Sequence, residues 1–305
     1  VPAEEYGEIE FKNKLTDEGK IKYGGGKCEL IRIGAFDDID LDIVHHIGDK
    51  DISVGSNSNN GFVSKVIRYK GVAAHAAGAP HLGVNALNAA SLGLSALAYQ
   101  RETFRDDDHV RIHPIITKGG NLVNVVPDEV VIETLVRAAN KDAIADAAAK
   151  TDRAFKAGAI AVGAACEITT MPGYLPALSE KADESVLAAA EIAAQTSEKD
   201  YQIVQEDTHA YSGGSTDVGD VQHLQPVLTF NTGGKVSGLH SVDFDIVDEE
   251  LAYVVTAKIF ALSAYRLLRD GAVKAKEIVA NYQPIFTKEE YIKYMDSFIR
   301  TETYQ

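Results

Sequence analysis

Apolar residues change their period several times along the chain, and each change marks an element. Phe62 to Lys70 (FVSKVIRYK) is rich in β-branched and aromatic residues and stops at Gly71, which predicts a strand. From Asn85 to Gln100 the positions Ala86, Leu87, Ala90, Leu94, Leu97 and Ala98 recur at three- and four-residue spacings, the period of an amphipathic helix. His109 to Thr117 reads as a strand punctuated by Lys118-Gly119-Gly120. After Val126-Pro127-Asp128, Glu129 to Arg137 alternates, with Val130 and Ile132 facing away from Glu129, Val131 and Glu133. Lys141 to Ala165 is an alanine-rich helix with Ile144, Phe155 and Ile160 as larger anchors, and Cys166 to Met171 closes the series as a strand. The order β-α-β-β-α-β is that of a ferredoxin-like unit, four antiparallel strands under two helices.

The flanks read differently. Ile31-Arg32-Ile33-Gly34 and Ile39 to His46 are expected as short buried strands, Ala182 to Ser197 as a helix, Pro226 to Asn231 as another buried strand, and Glu249 to Asp270 as a long helix. Strand and helix alternate on both sides of the ferredoxin-like unit. The fold class is therefore α/β: a discontinuous α/β domain over 1–61 and 173–305, interrupted by a smaller α+β insertion over 62–172. Ser53 to Gly61 (SVGSNSNNG) carries almost nothing to bury and is expected as the linker at the entry to the insertion.

Charge narrows the partners. Lys and Arg total 30 against 45 Asp and Glu, so the net charge is −15. That surplus repels phosphate backbones and anionic headgroups, and basic residues are scattered, which speaks against nucleic acid and membrane partners. The clean apolar run Ala157 to Cys166 falls well short of the ~20 residues that cross a bilayer. Cys28 and Cys166, few and far apart, fit a reducing compartment, so a cytoplasmic protein is expected. Val1-Pro2-Ala3-Glu4-Glu5 has no initiator Met and no apolar leader, and reads as the interior of a longer chain.

Three spots place ligand-type side chains beside glycine or at strand ends: Glu4-Glu5, His45-His46, and His240 within Gly238-Leu239-His240. Each alone is ordinary: adjacent glutamates are usually solvated, and paired or single histidines usually sit in hydrogen-bonded loops. Together they supply carboxylate and imidazole, the ligand types of catalytic zinc, with one carboxylate to spare as a general base. Gly24-Gly25-Gly26-Lys27 lacks the spacing and hydroxyl of a phosphate loop and reads as a flexible turn. Gly213-Gly214-Ser215-Thr216-Asp217 is not a serine nucleophile elbow, because Asp217 stands where the second glycine belongs. By itself His75, among alanines at the end of a strand, reads as a packed or capping residue.

Taken in order, these motifs resemble the aminoacylase and carboxypeptidase G family of co-catalytic metallopeptidases, especially its amidohydrolase branch of hippurate and aminobenzoyl-glutamate hydrolases. Pro2-Ala3-Glu4-Glu5 is similar to the branch's P-A-E-E. Gly34-Ala35-Phe36-Asp37-Asp38-Ile39-Asp40, followed by His46, resembles the segment leading to a ligand histidine. Ala74-His75-Ala76-Ala77, with Gly119-Gly120 and Asn124-Val125-Val126-Pro127, resembles the motifs of the family's lid. Gly214-Ser215-Thr216-Asp217 and Gly238-Leu239-His240 resemble the substrate loop and the last ligand, so the match runs from Val1 to about Leu268.

The resemblance implies a catalytic α/β domain, incomplete at its N-terminus, interrupted by a lid that pairs two subunits into a homodimer or larger assembly. It implies hydrolysis of the amide bond of an N-acyl amino acid or dipeptide-like substrate. Glu4 is then the general base, and Glu5, His46 and His240 are ligands of a divalent metal pair, zinc with manganese or cobalt as alternatives. His75 would donate to the oxyanion, from a second subunit. Asn124, Arg137, Gly214, Ser215 and Asp217 would orient and grip the substrate. In the family a segment upstream of P-A-E-E supplies further ligands, a Cys or Asp and a His. Without them the metal pair is incomplete, so the competing expectation is a non-catalytic assembly module that binds amino-acid derivatives.

Overall fold

The computed structural model describes residues 9–238 and 241–305. Glu4, Glu5 and His240 lie outside the described residues.

The chain enters through two helices, α1 (Ile9–Asp17) and α2 (Gly26–Ile33). The second corrects the strand expected at Ile31. Cys28 and Ile31, three residues apart, share a buried helical face, and Gly34 ends the helix at φ 90°, a left-handed conformation that suits glycine. A short apolar run does not by itself separate strand from helix; here the glycines on either side set helix ends. Of Gly24 to Lys27, expected as a flexible turn, Gly25 is the N-cap and Gly26 and Lys27 begin the helix itself.

Strands β1 (Asp42–Ile47) and β2 (Ile52–Val54) follow. The expected linker is anchored rather than loose. Ser53 and Val54 are buried within β2, Ser58–Asn59 pairs with Tyr211–Ser212, and Asn60 is fully buried. Gly61 is pressed so closely on the backbone of Tyr174 and Pro176 that an added Cβ would sit 2.5 Å from both.

The insertion then runs β3 (Gly61–Lys70), α3 (Ala86–Tyr99), β4 (Arg111–Ile112), β5 (Ile115–Lys118), β6 (Glu129–Ala138), α4 (Lys141–Val162) and β7 (Ala165–Pro172). The strand expected over His109 to Thr117 is split at His113-Pro114, where proline has no N–H for the ladder. Asn85 and Asn140 cap α3 and α4 by accepting backbone N–H groups, as helix-starting asparagines do. The helices meet backbone to backbone: a Cβ on Gly158 would lie 2.3 Å from the Ala89 carbonyl oxygen. Ile67, Val130, Ile132, Phe155 and Ile168 fill the core between helices and sheet.

The chain returns through α5 (Glu184–Gln195), β8 (Ile203–Gln205), α6 (Val218–Gln222) and β9 (Val227–Thr232). This gives a mixed sheet in the order β1-β9-β2-β8, in which β1 and β9 are parallel and β2 runs against β9. A π-helical turn, Glu250–Val255, leads into α7 (Thr256–Asn281). The expected helix end near Asp270 is a turn inside this element. Asp270, Gly271 and Ala272 are all left-handed, and helix resumes to Asn281. Glu250–Asn281 is long and apolar enough by composition to cross a membrane, yet its Leu251, Val255, Ile259 and Leu267 are buried with Phe230 and the α5 alanines.

Helix α8 (Lys288–Asp296) packs Tyr291 and Met295 beside Tyr23, Cys28 and Phe62, at the junction of the two units. The last strand, β10 (Arg300–Tyr304), then crosses to the insertion and pairs antiparallel with β7, from Arg300 opposite Thr170 to Tyr304 opposite Cys166. The insertion's sheet is therefore β10-β7-β3-β6-β4, with β5 also on β6. Four strands were expected in this sheet; the chain's own C-terminal strand covers the β7 edge.

A buried polar cluster fixes that strand. The Lys65 side chain is fully buried, with Nζ 2.6 Å from Asp152 Oδ1 and 2.8 Å from Thr170 Oγ1. Arg300 Nη2 reaches Asp152 Oδ2 at 3.0 Å from the outside. Burial pulls the Lys65 ammonium below its ordinary pKa, while Asp152 acts to keep it charged.

Candidate active site

The C-terminal end of β1 presents its two histidines to opposite faces, as alternation along a strand requires. His45 points toward the helices, its ring 5.0 Å from Phe230 and 6.1 Å from Phe260 between centroids. Its Nε2 is 2.7 Å from Thr232 Oγ1, which in turn is 2.7 Å from Thr256 Oγ1. Burial pushes His45 down to about 4, so it is a neutral packing residue that fixes the strand end.

His46 is exposed on the other face. Its Nδ1 lies 2.8 Å from the Ile47 carbonyl oxygen, which can only accept, so Nδ1 carries the proton and neutral His46 keeps a free lone pair on Nε2. A backbone carbonyl holding the far ring nitrogen is how ligating histidines are oriented. Opposite His46 on β9 stands Asn231, whose Nδ2 donates to Ser53 Oγ at 3.2 Å. Two residues earlier Thr229 donates to Glu180 Oε2, also at 3.2 Å. His46, Asn231, Ser53, Thr229 and Glu180 thus form a polar strip on the sheet face turned away from α5 and α7.

On the insertion, His75 and Asn124 are brought together by backbone pairing. His75 bridges Val125, and the Ala76 N–H donates to the Asn124 carbonyl at 2.9 Å. His75 Nδ1 accepts from the Ala77 and Gly78 N–H groups at 3.2 and 2.9 Å. Neutral His75 therefore carries its proton on Nε2, the opposite tautomer to His46. Both His75 and Asn124 are exposed.

Arg137, on β6, meets the 211–217 loop: its Nη1 is 3.5 Å from Ser215 Oγ, and its guanidinium lies over the Phe62 ring at 5.7 Å. The Gly214 carbonyl accepts the Asn60 N–H at 3.0 Å, which ties the loop to the entry of the insertion. Asp217 is placed differently from the substrate role expected for it. It is buried, and its carboxylate takes both the Lys27 N–H (2.8 Å) and the Lys27 ammonium (2.7 Å). A carboxylate so engaged anchors the loop to the start of α2.

Sequence reading missed three features of this region: the His45–Thr232–Thr256 chain, the buried Glu180, and the stack of His109 on Tyr211 at 3.8 Å. Strand parity would have separated His45 from His46. The others join residues distant in sequence and left no local signal.

Among the described residues no three His, Cys, Asp or Glu side chains converge to hold a metal ion. Of the expected ligands, only His46 lies among the described residues, with its Nε2 lone pair left free by the contact of Nδ1 with the Ile47 carbonyl.

Residues 57–161 match the M20 peptidase dimerisation domain. The Xaa-Arg dipeptidase of Mus musculus is 32% identical over 151 residues, 48% of this chain and 33% of that protein. Over that stretch the chain is similar to M20 peptidases. One of the polypeptides of the Escherichia coli K12 p-aminobenzoyl-glutamate hydrolase is 32% identical over 139 residues, 44% of this chain and 27% of that protein. The matched stretch thus spans about a third of the length of these curated M20 relatives. In fold, the chain is similar to a dinuclear metal-binding M20 peptidase from Bacillus subtilis, with a TM-score of 0.55 and 22% identity, covering 84% of this chain and 69% of that one.

Buried titratable groups give this chain a defined pH response. Asp220, which accepts from the Leu175 N–H and the Tyr291 hydroxyl, and Glu180 are both pushed up to about 8 by burial. In the unfolded chain such carboxyls titrate near about 4, so their contribution to stability is complete below that pH and lost as pH rises to about 8. His45 and His223, both lowered by burial, act in the opposite sense, their contribution being lost as pH falls below about 6.5. From about pH 6.5 to 8 the carboxyls are unopposed, and the thermal unfolding midpoint is expected to fall across that interval. Glu180→Gln should make the fall shallower; an unchanged slope would mean that Glu180 is not held neutral in the fold.

Proposed function

We propose that the chain is part of a metal-dependent amidohydrolase that cleaves the amide bond of an N-acyl amino acid or dipeptide-like substrate. The observation that carries this reading is the pair of opposite tautomers. His46 is held with a free lone pair on Nε2, as a ligand needs, and His75 with a proton on Nε2, as an oxyanion donor needs. A divalent metal, zinc with manganese or cobalt as alternatives, would be held by Glu5, His46 and His240 and would acidify a water. Glu4 takes the proton from the attacking water and delivers it to the leaving amine. The His75 Nε2–H stabilises the developing oxyanion, Asn124 orients the acyl group, and Arg137 with Ser215 binds the substrate carboxylate.

The assembly is read as a homodimer joined through the insertion, with His75 serving the partner's site. The match to a dimerisation domain supports this, as do the exposed apolar residues of the insertion, Leu82, Leu92, Tyr99, Ile115 and Leu122. Two free, buried cysteines agree with a cytoplasmic setting.

Metal analysis and mixed-variant assays on the full-length protein test the reading. His46→Ala should lose metal with little change in unfolding midpoint, whereas His45→Ala should keep metal and unfold more easily. Combining inactive Glu4→Gln chains with inactive His75→Ala chains should restore part of the hydrolysis of N-acetyl amino acids, because one hybrid site holds both native residues. A metal-free, inert wild-type protein would favour the non-catalytic assembly module; exchange of subunits without recovery would confine His75 to its own subunit.

A further inference from the structure

The insertion leaves the α/β domain at Asn60–Gly61 and rejoins it at Pro172–Gly173, and these two crossings lie side by side. The Phe62 N–H donates to the Tyr174 carbonyl at 2.8 Å, and the Gly173 N–H donates to the Phe62 carbonyl at 3.1 Å. Two adjacent strands make a ribbon, which bends across its plane when a few residues at the element ends absorb the change. A bend of about 10° there would carry the far end of the ten-residue strand β3, about 33 Å away, through about 6 Å. On this connection alone the insertion would swing.

Residues 282–304 make a third crossing among the described residues, and they are fastened to both units. At the α/β end the Ile285 and Phe286 N–H groups both donate to the His223 carbonyl at 3.0 Å. The Tyr291 hydroxyl donates to buried Asp220 Oδ1 at 2.9 Å, and Asp296 accepts from the Tyr23 hydroxyl and the Lys22 ammonium, each at 2.8 Å. At the insertion end the Tyr294 hydroxyl donates to the Lys141 carbonyl at 3.3 Å, and β10 pairs with β7 over five residues. The Lys156 ammonium also lies 4.0 Å from the centre of the Tyr304 ring.

Helix α8 forms the middle of this segment and packs on both units at once. Tyr291 and Met295, four residues apart, lie with Tyr23, Cys28 and Val227 of the α/β domain. Tyr294 and Phe298, also four apart, lie with Val63, Val136 and Ile144 of the insertion. Neighbouring faces of one short segment are thus committed to different units.

We propose that residues 282–304 are a strap that locks the insertion at one angle on the α/β domain. The hydrogen bonds of Tyr291 to Asp220 and of Tyr23 to Asp296 fasten one end, and the β10–β7 ladder fastens the other. In subunits paired through their insertions, that angle sets how far His75 of one subunit lies from His46 of the other. This consequence rests on the assembly given under the proposed function; the lock itself is a property of one chain.

The lock is tested by the distance between two spin labels on the full-length protein, at Ala161→Cys near the end of α4 and Glu191→Cys on α5, both exposed positions. Cys28 and Cys166 are fully buried and stay unlabelled. Dilution with unlabelled protein leaves one labelled chain per assembly. With the strap intact the distances should form a single narrow distribution. Removal of residues 298–305 should broaden it by several ångström, the displacement that a small bend at the ribbon produces. Tyr291→Phe combined with Asp296→Asn unfastens the other end while leaving β10 on β7, and should broaden it in the same direction. Cooperative urea unfolding of each variant verifies that it is folded. If the shortened protein does not fold, the double variant decides. Broadening in a folded variant supports the lock. Wild-type widths in the folded variants overturn it and make the ribbon itself the rigid joint.

Discussion

Replacing Asp152 by alanine is expected to lower stability by about 3–5 kcal/mol, the cost of leaving a buried charge without its partner. Lys65 sits in the middle of β3 with no exposed surface, and its ammonium has two side-chain partners, Asp152 and Thr170. Without Asp152 one neutral hydroxyl remains, and the ammonium must lose its proton or draw water into the sheet. The same carboxylate holds Arg300, so the loss also loosens β10 from β7. Arg300→Ala removes a partner that is 32% exposed and should cost about 1 kcal/mol or less. The double variant Lys65→Met with Asp152→Ala should recover much of the single loss, because neither charge is then buried. Urea unfolding of the three proteins decides the matter: an Asp152→Ala protein no weaker than Arg300→Ala would show that Lys65 is not the dominant charge in the cluster.

Glu4→Gln is expected to produce the largest loss of activity, about 10²- to 10⁴-fold for removal of a general base. Gln keeps the size and one acceptor oxygen of Glu but cannot take a proton at neutral pH. Metal content should stay at the wild-type level, since the ligand role is assigned to Glu5. Loss of metal together with activity would exchange the roles of these adjacent residues. Retained activity with retained metal would remove Glu4 from the mechanism.

Part of the candidate site is legible in the order and spacing of its motifs. The family motif picks out His46 over His45 by spacing, whereas the backbone bridge of His75 to Val125 and the contact of Arg137 with Ser215 join residues that no motif had paired. Asp217 is misread because a carboxylate in a glycine-rich loop looks free in sequence, and its lysine partner stands near the start of the chain at Lys27.

The sequence by itself determined the elements of the insertion, because their signals are local. β-Branched and aromatic composition marked β3, alternation marked β6, three- and four-residue periods marked α3, alanine content with larger anchors marked α4, and Asn85 and Asn140 set the helix starts through hydrogen bonds to their own neighbours. Tertiary structure alone decided what depends on distant partners. Arg300–Tyr304 becomes a strand because β7 offers an open edge, and nothing within five polar and aromatic residues predicts that pairing. Lys65 can be buried because Asp152 and Thr170 arrive from another helix and strand to neutralise and hydrogen-bond it. His45 and His46 were bound to face opposite ways by the pleat of the strand, but only the packing of Phe230 and Phe260 over one face made one a neutral core residue and left the other open to solvent.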